Sequence, residues 1–291
     1  MNLGQLLEQL QPTALSDIEL PLYLMGSFRR KSITFFNGMT DEKTIVYWFQ
    51  SKSFSIDLRL VDGNNTSIYQ RQGWIGDTIW DAKTELLLWH IKHNYQNHVQ
   101  WPEPAKLYQI GNCILEFSPS NAYVEDWRQQ ANKGLFLGLR LFQMQHLASQ
   151  EIITMDGGLI ITDQQIAYAQ SRLPYHQQQI GNVASLYDLQ DKNSSIENYE
   201  VSISLNDATI HFSTQPDKID QLIALDHFEI IDSNTISQLK VINGEEYRLY
   251  FTLDVYQPHF EFSHSSSTTS ESEQWFDQEK DHLLKNSIHV L

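Results

Sequence analysis

Phe28–Leu60, FRRKSITFFNGMTDEKTIVYWFQSKSFSIDLRL, decides the fold. Apolar and aromatic residues alternate there with charged ones, which is the period of a β-strand. Asn37-Gly38 and Ser51-Lys52 mark two reversals, so the stretch reads as three consecutive antiparallel strands. Arg29, Arg30, Asp57 and Arg59 fall inside these strands, interleaved with Phe28, Trp48 and Phe54. A charge in a strand is costly when buried unpaired, so these groups either face water or answer one another. That choice separates a plain scaffold from the wall of a site.

The same strand pattern continues outward. Gln70–Trp80 carries Gly73 and Gly76, which suit a bulged or sharply curved strand. Glu85–Asn94 fits helix or strand, and its Trp89 and Ile91 favour strand. Lys106–Phe117 reads as a hairpin turning at Gly111-Asn112, and Ala122–Gln129 and Leu135–His146 as two more strands. That makes about eight strands by residue 148, a number at which a closed antiparallel barrel can hold one small ligand. A second strand-rich set follows from Leu159 to Tyr256, with turns at Asp163-Gln164, Asn206-Asp207 and Asn243-Gly244. Leu3–Leu10 predicts a short amphipathic helix able to plug a barrel mouth or sheet edge. The expected class is all-β: two antiparallel lipocalin- or calycin-like barrels in tandem with short terminal helices, since closure removes exposed edges. The expected division is 1–150, 151–262, and a flexible Ser-rich segment with a terminal helix over 263–291.

Composition narrows the function classes. With 41% hydrophobic and 19% charged residues, the chain of 291 residues is globular, and its length suits two domains. A formal charge of −16 repels phosphate backbones and argues against nucleic acid as a partner. No apolar run approaches the roughly 18 residues of a membrane span, and Met1–Asp17 lacks the regions of a secretion signal. The single Cys113 fits a reducing cytoplasm. GxSxG, GxGxxG, Walker and EF-hand patterns are missing, so no cofactor is expected. His90, His93 and His98, near Trp89 and Trp101, lack metal-ligand spacing, and no metal is expected.

Two constellations remain. Arg30, Trp48, Gln50 and Arg59, with Trp74 and Trp89, would form a ligand-binding wall in the first barrel, each arginine meeting an anionic group while indoles cover an apolar body. The competing reading is an exterior Asp57–Arg59 ladder reaching Arg29 or Lys31, worth under about 1 kcal/mol. Tyr123, Glu125 and Trp127 share a face, Tyr123 and Trp127 completing the expected ligand-binding wall, and Glu116 falls on a neighbouring strand. The two glutamates are weak candidates for acid–base catalysis by an isomerase, lyase or hydrolase. Alternatively, a Glu is held by an inward arginine such as Arg140. A protein–protein module built of filled barrels is a further alternative. Oligomeric state is open.

Glu125-Asp126-Trp127, followed by Asp156-Gly157-x-Leu159-x-Ile161, resembles a small fungal family of tandem lipocalin-like β-barrel proteins with a casein-kinase-interacting member. The likeness covers Leu115–Arg172. The pattern GSFRRKSI…VYWFQ…IDLRL also resembles uncharacterised bacterial proteins. The resemblance implies the tandem-barrel fold and brings no catalytic residues.

Overall fold

The structure, a computed structural model, describes residues 1–16, 18–97, 103–189 and 193–288. His98 and Trp101 lie outside them.

The opening stretch forms β1 (Gly26–Phe35), a short β2 (Thr40–Asp41), β3 (Ile45–Gln50) and β4 (Phe54–Asn64). Asn37-Gly38 makes the first reversal, with Gly38 at φ 82°, the left-handed region that glycine enters without steric cost. The chain continues antiparallel through β5 (Gln72–Asp81), β6 (Leu86–His90), β7 (Ala105–Ile110), β8 (Cys113–Phe117) and β9 (Tyr123–Gln129). β9 then pairs back onto β1, from Phe28 opposite Gln129 to Phe35 opposite Tyr123. Eight strands, β1 and β3–β9, therefore close a barrel, and β2 lies outside the ring.

Closure uses one local irregularity. The register of β1 against β9 shifts between Arg30 and Ser32. An extra residue reverses the inside–outside alternation. Arg30 and Ile33, three apart, consequently both face the interior.

The second sheet is made of β10 (Lys133–His146), β11 (Ile152–Thr162), β12 (Gln165–Gln170), β13 (Glu200–Ser204), β14 (Ile210–Ser213), β15 (Phe228–Ile230), β16 (Thr235–Ile242) and β17 (Glu245–Glu261). Its order is β14-β13-β12-β11-β10-β17-β16-β15, and β14 and β15 remain unjoined edges. The expectation of two closed barrels is corrected: one barrel closes and the second sheet is open. Both edges are short, four and three residues, which limits the unpaired backbone they expose. β10 belongs to this sheet, so the change of sheet falls between Gln129 and Lys133 rather than near residue 150.

The outside of the barrel explains how the halves join. On β4, Asp57 and Arg59 face inward, which turns Ile56, Leu58 and Leu60 outward. These three, with Ile75, share a core with Ile160, Ala167, Ala169, Val201 and Ile203 of the second sheet. β4 is thus covered on both sides, its charged face by the barrel interior and its aliphatic face by the neighbouring sheet. The sheets approach closely at glycines. A Cβ on Gly73 would lie 2.9 Å from Val201, and one on Gly158 2.8 Å from Phe54. Gly73 and Gly76 do not mark a bulge, because β4 and β5 pair without a register shift. At Gly73 the missing side chain makes room for the second sheet; at Gly76 it makes room for His90 and Ile91.

On its other face the second sheet holds a separate core that includes Leu139, Leu159, Phe251 and Leu6. Leu6 comes from the short helix α1 (Leu3–Leu7), and Leu3 donates its amide to Leu225. The amino-terminal segment also bonds Phe228 of β15, so of the two expected places it takes the sheet edge and not the barrel mouth. Two helices, α2 (Pro174–Gly181) and α3 (Asn193–Glu197), precede β13, and α4 (Ser270–Leu283) follows the Ser-rich segment. Ser263 and Ser266 bond Asn112 and Gly111 at the β7–β8 turn, so the start of that segment is attached to the barrel. No helix among the described residues is long and apolar enough to cross a membrane.

Candidate functional site

The barrel interior holds a cavity of about 600 Å³. That lies within the range of sites for drug-sized molecules. Strand alternation places its lining: Arg30 from β1, Trp48 from β3, Asp57 and Arg59 from β4, Trp74 from β5, Trp89 from β6, Glu116 from β8, and Tyr123, Glu125 and Trp127 from β9. Phe35 and Phe36, at the end of β1, and Ala122, ahead of β9, line it as well. Phe36 is 82% exposed, so the cavity reaches the surface here. Phe36 donates its amide to Ala122, which ties the β1–β2 turn across to β9.

Four tryptophans form the apolar part. Trp48 is central: it meets Trp89 edge-on at 6.0 Å and Trp127 at 5.7 Å, and it stacks on Phe28 at 4.8 Å. Trp74 meets Trp89 at 6.1 Å. These are the offset and edge geometries that ring quadrupoles favour. Gln50 fixes the centre from below. It accepts the Trp48 indole N–H at 3.3 Å and spends its amide on Ser51 O, Phe54 O and Thr78 Oγ1. Gln50 is absent from the cavity lining, so the expectation that it forms part of the ligand-binding wall gives way to a role in holding Trp48.

The charges come in pairs. Arg30, 7% exposed, donates from Nη1 to Glu125 Oε1 at 2.7 Å and from Nη2 to Asp41 Oδ2 at 3.1 Å. Arg59 donates from Nε and Nη2 to the two oxygens of Asp57 at 2.8 and 3.3 Å. The Asp57–Arg59 ladder of the sequence reading exists, but it points inward. Arg29 is the exterior residue, bonded to Val46 O and lying over the Tyr47 ring. The inward arginine that holds a glutamate is Arg30. Arg140 instead binds Asp77 and Asp156 where the barrel meets the second sheet. Twenty-nine per cent of the Arg59 side chain is uncovered, on the cavity side. Among the described residues its Nη1 has no hydrogen-bond partner. Burial alone would lower the Arg59 guanidinium, but Asp57, then Glu125 and Glu116, hold it above its ordinary value.

Glu116 stands apart. It lies directly across from Glu125 in the β8–β9 ladder and accepts two neutral donors, Tyr123 Oη at 3.1 Å and Trp127 Nε1 at 2.9 Å. Burial, then the neighbouring Glu125 charge, push its carboxyl up to about 8, against the smaller opposing pull of Arg59. Glu116 therefore holds its proton more tightly than an exposed carboxyl does, while touching the cavity. Burial, followed by Glu116, raises the Tyr123 hydroxyl well above its ordinary value.

The chain matches no protein-family model, no curated protein and no solved structure. The site is therefore read on its own geometry. It brings together seven of the eight ligand-wall residues expected from sequence, Arg30, Trp48, Arg59, Trp74, Trp89, Tyr123 and Trp127, along with both glutamates. His90 reaches the cavity rim, and His93 is exposed. Burial and Asp126 push the Cys113 thiol up to about 11, so it is no nucleophile at neutral pH.

Sequence reasoning missed Arg172. This buried arginine donates to the carbonyls of Asn94, Tyr95, Ser195 and Ile196, and its plane lies 5.3 Å from the rings of both Tyr95 and Tyr199. It stitches the segment after β6 to α3. Nothing local in the sequence distinguishes it from a surface arginine.

Proposed function

We propose that the protein binds a small, partly apolar organic molecule inside its closed barrel. The carrying observation is the roughly 600 Å³ cavity, walled by four indoles and open beside Phe36. A barrel built only as a rigid block would fill this volume with side chains, because each unfilled methyl-sized space costs about 1 kcal/mol. The uncovered Arg59 edge supplies donors for a carbonyl or hydroxyl oxygen. Both arginines already hold carboxylates, so the geometry favours their recognising a neutral acceptor over neutralising an anion. The lone thiol suits a cytoplasmic setting.

The neutral fluorophore N-phenyl-1-naphthylamine tests this reading. The expected result is saturable one-to-one binding with energy transfer from tryptophan, lost when Ala122→Trp narrows the mouth. Uptake that ignores Ala122→Trp would place the dye elsewhere and refute the proposal.

A second reading rests on Glu116. A carboxyl that holds its proton near neutrality and faces a cavity can serve as general acid, and after ionising as base, for a bound ester, lactone or enol. Turnover of such a substrate that Glu116→Gln abolishes, with binding retained, would move the protein from carrier to enzyme. Binding without turnover in either form would exclude this reading.

A further inference from the structure

The cavity wall carries five carboxyl groups, Asp41, Asp57, Glu103, Glu116 and Glu125, against two guanidiniums. The imbalance is organised. Arg30 is answered by Glu125 and Asp41, and Arg59 by both oxygens of Asp57. An incoming anion would find each arginine already answered by a carboxylate and would meet the remaining acids at close range. A cation meets the opposite situation. Indole faces attract positive charge through their quadrupoles, more strongly where the charge is desolvated. Four indoles border this space, and one of them, Trp127, is bonded to Glu116.

We propose that the molecule taken by this barrel is an organic cation, a quaternary or protonated amine on an apolar body, whose charge lies among the tryptophans beside Glu116. The inference rests on the reading of the cavity as a ligand site. It also makes binding exchange a proton. Glu116 is flanked by Glu125, Tyr123 and Trp127 from β9 and feels Arg59 from β4; it shares the cavity wall with Asp57 of β4 and Arg30 of β1, and its partner on β7 is the apolar Leu107. Burial and the Glu125 charge favour the protonated form of Glu116. A cation alongside favours the carboxylate, so the proton leaves to solvent as the ligand enters. The complex then holds an ion pair where the free protein held a neutral acid.

Three probes of similar shape separate the possibilities: benzyltrimethylammonium, its uncharged isostere neopentylbenzene, and phenylacetate. Tryptophan fluorescence of the full chain follows each titration between pH 6 and 9. The expected order places the cation roughly tenfold or more ahead of both others, in line with one or two cation–ring contacts. Its affinity should strengthen by up to roughly tenfold per pH unit on approach to pH 8 and level off above. Glu116→Gln should flatten that dependence. Equal or tighter binding of the neutral or anionic probe would overturn the inference while leaving the barrel a binding site. So would a pH slope that survives in Glu116→Gln. If Glu116→Gln does not fold, the order of the three probes on the natural chain still decides. No saturable change with any probe would overturn the binding reading as well.

Discussion

Replacing Glu116 with Gln should make the protein more stable at alkaline pH, although it removes a buried, hydrogen-bonded residue. In the folded chain the Glu116 carboxyl rises from its ordinary 4.5 to about 8. The folded state therefore holds the proton more tightly than the unfolded one, and Glu116's favourable contribution is complete below about pH 4.5. It declines as pH climbs and is gone above about 8. At about 1.36 kcal/mol per tenfold change in proton affinity, the full excursion is worth about 5 kcal/mol. Relaxation around the new charge lowers the expected figure to about 2 to 5 kcal/mol. Glutamine cannot ionise, still accepts one of the two donors from Tyr123 and Trp127, and leaves Glu125 paired with Arg30. The assay is urea denaturation of both proteins at several pH values from 5 to 9. The chain as a whole carries −16, so only the difference between the two curves isolates Glu116. The variant should be equal or weaker at pH 5 and stronger at pH 9, with the lines crossing between. Parallel curves would show that Glu116 does not change its proton affinity on folding, and the account of its surroundings would be wrong.

Other perturbations test other joints. Arg30→Met strands the buried Glu125, takes a partner from the partly exposed Asp41, and should cost about 3 to 5 kcal/mol in chemical denaturation. Adding Glu125→Gln should recover part of that loss, and strict additivity of the two changes would deny the pairing. Gly73→Val drives a side chain into Val201 and should cost about 1 to 3 kcal/mol, with faster hydrogen exchange in β5 and β13; unchanged exchange there would show that the sheets do not meet at this glycine. Arg172→Met removes the donors to four carbonyls and should open the segment before β7 and α3 to limited proteolysis, at a cost of about 3 kcal/mol or more. A wild-type cleavage pattern would contradict that stitching role.

The strands and the site were legible for one reason. Period-two alternation fixes which residues of one strand share a face, so it pairs Trp48 with Gln50, Asp57 with Arg59, and Tyr123 with Glu125 and Trp127. What alternation cannot say is which face is inside. Here the charged face of β4 points into the cavity, and its aliphatic face packs on the second sheet. That inverts the usual arrangement, and it is why an exterior ladder is the natural competing reading of the same residues. Alternation also gives no distances between strands far apart in sequence. Arg140 was therefore offered to a glutamate that Arg30 holds, and β10 was assigned to a sheet it does not join. Closure of the first sheet and openness of the second depend on which strands end up at the edges, a property of the whole topology. The bulge at Arg30 leaves no residue signature, since neither Arg30 nor Ser32 is of a type that demands it. PYHQQQIG, which forms α2, is polar on most sides and announces no amphipathic face.

Native mass spectrometry of the protein purified gently from its own host bears most directly on the enclosed cavity. A one-to-one adduct of small-molecule mass should be present in the natural chain and missing when Ala122→Trp closes the mouth. A bare natural chain that also fails to take up N-phenyl-1-naphthylamine, or an adduct that persists unchanged in Ala122→Trp, would contradict a ligand-holding barrel.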